Sequence, residues 1–70
     1  MEKYFVNKNL ILGTITAKGK SVSDFCKENG FDRTQFYQAL NREYSKPRSV
    51  FLARVANALK LNVSLVWEAE

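Results

Sequence analysis

Apolar residues recur along this chain at three- and four-residue spacing, and sustained period-two alternation is missing, so the pattern predicts helices nearly throughout. A first helix is expected from Lys8 to Lys18. Asn7 caps it, Leu10, Ile11 and Ile15 form its inner face, and Gly19 stops it, although Thr14 and Thr16 lower its propensity. Ser21-Val22-Ser23-Asp24 opens a short second helix. Ser21 accepts from first-turn amides, Asp24 sits at the favourable end of the helix dipole, Phe25 and Cys26 turn inward, and Asn29-Gly30 ends it. Asp32 caps a third helix, with Gln35 three residues on and Phe36, Ala39 and Leu40 facing the core. Pro47 disfavours helix at Lys46, which leaves Tyr44 to Arg48 as a loop. From about Ser49 a fourth helix carries the stripe Leu52, Val55, Ala56, Leu59 until Asn62 breaks it. Ser64 then caps a last helix from Leu65 to about Ala69, with Trp67 tucked against the body. The expected fold is all-α, a compact bundle of about five short helices. Tyr4-Phe5-Val6 either covers the last helix or pairs with a partner.

With 70 residues the chain is one domain, spanning 1–70. A core of that size supplies only roughly 3–5 kcal/mol unless braced. The single cysteine, Cys26, makes no internal disulfide, and the absence of histidine removes the conventional zinc ligands and the usual catalytic base. No phosphate-cradling glycine loop is present, and Asp24 and Asp32 are spent as caps. The expectation is therefore a non-enzyme with no cofactor, metal or small-molecule substrate. Cys26 is read as a small buried packing residue. No apolar run approaches the roughly 20 residues that span a bilayer, and Met1 to Val6 does not resemble a secretory signal. The expected location is the cytoplasm, with no membrane partner.

Two helices joined by a turn of about three or four residues containing glycine have the shape of a DNA-reading unit, and residues 22–41 fit it slot by slot. Cys26 is small where the helix axes approach, Gly30 makes the turn, Phe31 plugs the space between the helices, and Phe25, Phe36 and Leu40 bury the shared face. A net charge of +4 favours a polyanionic partner, because each phosphate neutralised releases a condensed counterion. On the third helix Thr34, Tyr37, Gln38 and Asn41 fall at i, i+3, i+4 and i+7, in one row away from Phe36 and Leu40. Planar amides pair bidentately with adenine, and arginine with guanine. Candidate phosphate contacts are Lys18, Lys20, Ser21 and Val22 at the start of the second helix, and Arg42, Lys46 and Arg48 beyond the third.

The order of helices, the Ser21 cap, Cys26, Gly30-Phe31, the Pro47 loop and the tail Val55-Ala56-Asn57-Ala58-Leu59, Val63-Ser64, Trp67 resemble the lambda-repressor-like helix-turn-helix domains of phage Cro and CI proteins. They are similar also to the Ner regulators and to the lactococcal phage modulator-of-repression proteins. Asn29 and Ala39 depart from the pattern, at slots usually apolar and branched. The resemblance implies a sequence-specific transcriptional regulator that reads double-stranded operator DNA with its third helix in the major groove. It implies that Arg33, at the exposed helix start, joins Thr34, Gln38 and Asn41 at the bases, with Tyr37 touching a thymine methyl or a phosphate. Because one such module buries only about 600–1,000 Å² on DNA, the expectation is a repressor acting as a homodimer, or in a hetero-complex with another DNA-binding protein such as a cognate repressor, in the bacterial cytoplasm if phage-encoded. The modulator proteins imply an alternative, an antirepressor that acts by complexing a cognate phage CI repressor.

Overall fold

In the computed structural model, which describes residues 3–69, the chain forms four α-helices and one small antiparallel sheet. Strand β1 (Tyr4–Val6) leads into α1 (Lys8–Ala17), α2 (Val22–Asn29), α3 (Arg33–Asn41) and α4 (Val50–Ala58). A single turn of 3-10 helix (Val63–Val66) and strand β2 (Trp67–Ala69) follow. Each α-helix begins on a side-chain cap. The Asn7 carboxamide oxygen accepts from the Leu10 amide at 3.2 Å, Ser21 Oγ from Asp24 at 3.1 Å, the Asp32 carboxylate from Gln35 at 3.0 Å and Ser49 Oγ from Leu52 at 3.3 Å. Each bond satisfies one first-turn amide that has no intrahelical partner.

Three of the four helix ends close in the same way, with one residue in the left-handed region and the next amide reaching back five residues. Gly19 (φ 73°) and Gly30 (φ 71°) do this for α1 and α2, where Lys20 donates to the Ile15 carbonyl and Phe31 to that of Cys26. In α4 the same place falls to Lys60 (φ 57°), with Leu61 donating to Ala56 at 2.8 Å, so this helix ends at Ala58, ahead of the break expected at Asn62. A side chain at positive φ is strained by about 1–2 kcal/mol. Gly30→Ala is therefore expected to lower stability by about 1 kcal/mol, although a Cβ there meets nothing within 4 Å. Lys60→Gly is expected to raise it by about 0.5–1 kcal/mol, glycine's larger unfolded-state entropy offsetting part of the relief. Urea unfolding of the two variants reads both signs.

The fifth helix is a correction. Asn62, not Ser64, caps the last turn, accepting from the Ser64 amide at 3.0 Å and the Ser64 hydroxyl at 2.9 Å. After that turn the chain extends instead of coiling. Trp67 to Ala69 pairs antiparallel with the amino-terminal strand, in the register Tyr4↔Ala69, Phe5↔Glu68, Val6↔Trp67. A helix this short does not sustain itself, and Val63 and Val66 are stiff at χ1 and favour extended neighbours. Pairing with Tyr4-Phe5-Val6 offers the backbone groups better partners, so the amino-terminal segment pairs with a strand where the last helix was expected, and it packs against α3 as well.

The core is one cluster: Val6, Ile11, Ile15, Phe25, Cys26, Phe36, Ala39, Leu40, Leu52, Val55, Ala56, Leu59 and Val66. Every predicted inward residue of the second, third and fourth helices is in it. Leu10 is only half-buried, the inner face of α1 being carried by Ile11 and Ile15. Phe31 bridges α2 and α4, its ring 5.8 Å from Phe25 and 5.2 Å from Phe51. No helix is long and apolar enough to cross a membrane among the described residues.

Tyr44 ties the end of α3 to the sheet. Its backbone exchanges two hydrogen bonds with Tyr4, at 2.8 and 2.9 Å, its hydroxyl donates to the Ala39 carbonyl at 2.9 Å, and its ring meets Trp67 edge-on at 4.9 Å. Burial raises its pKa above the usual tyrosine value, against the opposing pull of Arg42 and a hydrogen bond with Ser49. Tyr44→Phe is expected to lose about 1 kcal/mol, the net value of that hydroxyl bond. For an acid whose folded pKa is raised, the unfolded chain loses its proton first, so this group's stability is present below the ordinary tyrosine pKa, about 10, and falls as pH rises above it. The gap in melting temperature between wild type and Tyr44→Phe should therefore narrow above pH ~10; a constant gap would contradict the assignment.

Candidate nucleic-acid interface

The link between α2 and α3 is Gly30, Phe31 and Asp32. The left-handed glycine reverses the chain, the phenylalanine fills the angle between helices, and the aspartate starts the next helix, so this turn fixes how α3 sits on the body. Cys26 lies beneath it, 2% exposed. Burial pushes its thiol pKa up, Arg33 opposes this and Asp32 adds to it, which is the environment of a packing residue rather than a nucleophile. Asn29, the departure from the apolar slot, stays exposed and donates its amide to the Phe25 carbonyl at 2.8 Å, so α2 packs without it. Ala39 is buried beneath the Tyr44 contact.

With Phe36 and Leu40 buried, the opposite side of α3 faces outward. Arg33, Thr34, Tyr37, Gln38 and Asn41 are all exposed. Arg33, Thr34 and Gln38 have side chains without a hydrogen bond or ion pair among the described residues, so their polar groups are available to a ligand. Tyr37 is 42% exposed and rests edge-on against Phe36 at 5.8 Å. Asn41 differs: its amide donates to the Tyr37 carbonyl at 2.9 Å and its oxygen accepts from Lys8 Nζ at 2.9 Å, so both of its ends are occupied.

Two residues here lie outside the candidates that the sequence pattern names. Lys8 comes from the start of α1, and no local pattern relates it to α3. In the sequence Gln35 stands out only as the partner of the Asp32 cap, which uses its backbone amide. Its side chain is exposed and lines a shallow groove with Gln38, Arg42, Tyr44 and Ser49. The spacing of Gln35, Gln38 and Arg42, three and four residues apart, is the signal that marks this second row.

The candidate phosphate contacts divide by surroundings. Arg42, Lys46 and Arg48 line one groove together with the acidic Glu43, and the Arg42 guanidinium lies 5.0 Å from the centre of the Tyr44 ring, a cation–π contact that orders it. At the α1–α2 junction Lys18 is exposed and Ser21 Oγ is engaged as the α2 cap. Val22 is half-buried and has only its backbone amide to offer. Lys20 is paired with Glu28, which offsets its charge. Exposed pairs of this kind contribute little and open readily to a stronger anion. No group of three or more histidine, cysteine, aspartate or glutamate side chains could hold a metal ion among the described residues.

Compared with protein-family models, with curated proteins and with solved structures, the chain matches none.

Proposed function

We propose that this chain is a sequence-specific double-stranded DNA-binding transcriptional regulator of the phage repressor type, with α2 and α3 as its helix-turn-helix and α3 entering the major groove. One observation carries the reading. α3 is anchored on one side by Phe36 and Leu40, presents Thr34 and Gln38 on the other and exposes Arg33 at its first position, all three with uncommitted polar groups. Arg33 matches the O6 and N7 acceptors of guanine, Gln38 the N6 and N7 pair of adenine, and Thr34 either. Tyr37 meets a thymine methyl or a phosphate. Arg42, Lys46 and Arg48 supply phosphate contacts past the far end of α3, and Lys18, Lys20 and the first amides of α2 supply them at the other flank. The Lys20–Glu28 pair opens on binding.

A single module of this kind buries only about 600–1,000 Å² against DNA. Two copies on half-sites roughly 34 Å apart gain from avidity and read one face of the duplex, so the proposal includes a homodimer on operator DNA that blocks a promoter. Sedimentation with operator duplex should give two chains per duplex; one chain per duplex rejects the dimer. Backbone-amide chemical shifts on adding duplex test the surface itself. The largest changes are expected within residues 33–42 and at 18–22. Changes centred on α4 or β2 instead would reject α3 as the reader.

A further inference from the structure

Lys8 occupies an odd place. It is the first residue of α1, where the helix dipole disfavours a cation, and the first turn of α1 contains no acidic residue to offset it. Its hydrogen-bond partner is instead the neutral Asn41, 33 residues away in sequence at the last position of α3. Asn41 in turn is fixed by its donation to the Tyr37 carbonyl. Tyr37, Asn41 and Lys8 thus form a chain that carries an exposed ammonium from α1 onto the C-terminal end of the outward face of α3. That end has no basic residue of its own in its last turn.

We infer that Lys8, held by Asn41, is a phosphate anchor of the DNA interface, and that Asn41 is a positioning residue rather than a base reader. The inference rests on the proposed reading that α3 enters the major groove. In that docking the amino-terminal residues of the helix touch base edges. Asn41, the last residue of α3, lies about 10 Å further along the axis than Thr34, away from the end that touches the bases. An asparagine that reads adenine turns its oxygen and one amide hydrogen together to the base; in Asn41 the oxygen accepts from Lys8 and one amide hydrogen goes to Tyr37, which fixes the plane of the carboxamide toward the protein's own groups. A lysine, by contrast, has three donors and gives only one to Asn41, so Lys8 can hold the amide and meet a phosphate together.

The test compares wild type, Lys8→Arg, Lys8→Gln and Asn41→Ala by anisotropy, on a duplex selected by wild type from a random pool and on its single-base-pair variants, across a range of KCl. Lys8→Gln should lower the slope of log K against log salt by about 0.9, the value of one phosphate contact on duplex DNA, while Lys8→Arg keeps it. Asn41→Ala should weaken binding to all the duplexes by the same factor. A base-reading Asn41 would lose preference at one base pair, by about 5- to 150-fold. That loss, or an unchanged slope in Lys8→Gln, overturns this inference alone. A lower melting temperature for Lys8→Gln with its slope intact marks a purely structural latch and overturns it too. A wild type that selects no sequence overturns the parent reading, and this inference with it.

Discussion

Replacing Phe36 with alanine is expected to abolish cooperative unfolding. Phe36 has no exposed surface and packs edge-on to Phe25 at 6.0 Å on one side and to Tyr37 at 5.8 Å on the other. Its truncation removes a large buried ring and leaves a cavity where α2 meets α3, for which the usual cost is about 3–5 kcal/mol. A domain below about 80 residues without disulfide or metal has a total stability of about 3–5 kcal/mol, so the loss is comparable with the whole. Far-UV circular dichroism should show weak helicity and no sigmoidal melt. A melt within a few degrees of wild type would mean that Phe36 does not hold α3 on the body. DNA binding should vanish with the fold, because a nine-residue α3 is not stable alone.

The second large effect separates reading from folding. Arg33→Ala and Gln38→Ala each remove an exposed side chain without a hydrogen bond or ion pair among the described residues, so melting should change by no more than about 0.5 kcal/mol equivalent. On DNA each variant should lose about 1–3 kcal/mol of discrimination, at one base pair and not elsewhere. Competition with single-base-pair variants of the preferred duplex gives the position for each: a G·C pair for Arg33 and an A·T pair for Gln38. Uniform weakening against every duplex would make these residues backbone contacts and remove them from readout.

Much of this arrangement is written locally. Asn7, Ser21, Asp32 and Ser49 cap because a short polar side chain stands just before an apolar 3.6-residue stripe, and all the groups involved lie within three residues. Gly19 and Gly30 turn the chain because glycine alone takes positive φ freely. The features that escape are long-range or compete with the local signal. Nothing near Trp67 announces that Tyr4-Phe5-Val6, at the other end of the chain, will offer it a strand, so a short apolar stretch looked like one more helical turn. Lys60 fills a position where glycine is the usual marker, which left the end of α4 without a signal in the sequence. In the candidate site, side-chain exposure followed from helical periodicity, but availability did not. The engagement of Asn41 by Lys8 and of Lys20 by Glu28 joins separate segments of the chain.

The most direct test of α3 as a base reader is fluorescence anisotropy with the DNA upstream of the chain's own gene and with a scrambled duplex of equal length and composition, each at low and at physiological salt. Preference for the natural duplex that persists at the higher salt is the result expected of base contacts. Equal binding to both duplexes, lost together as salt rises, would contradict it and leave only a basic surface.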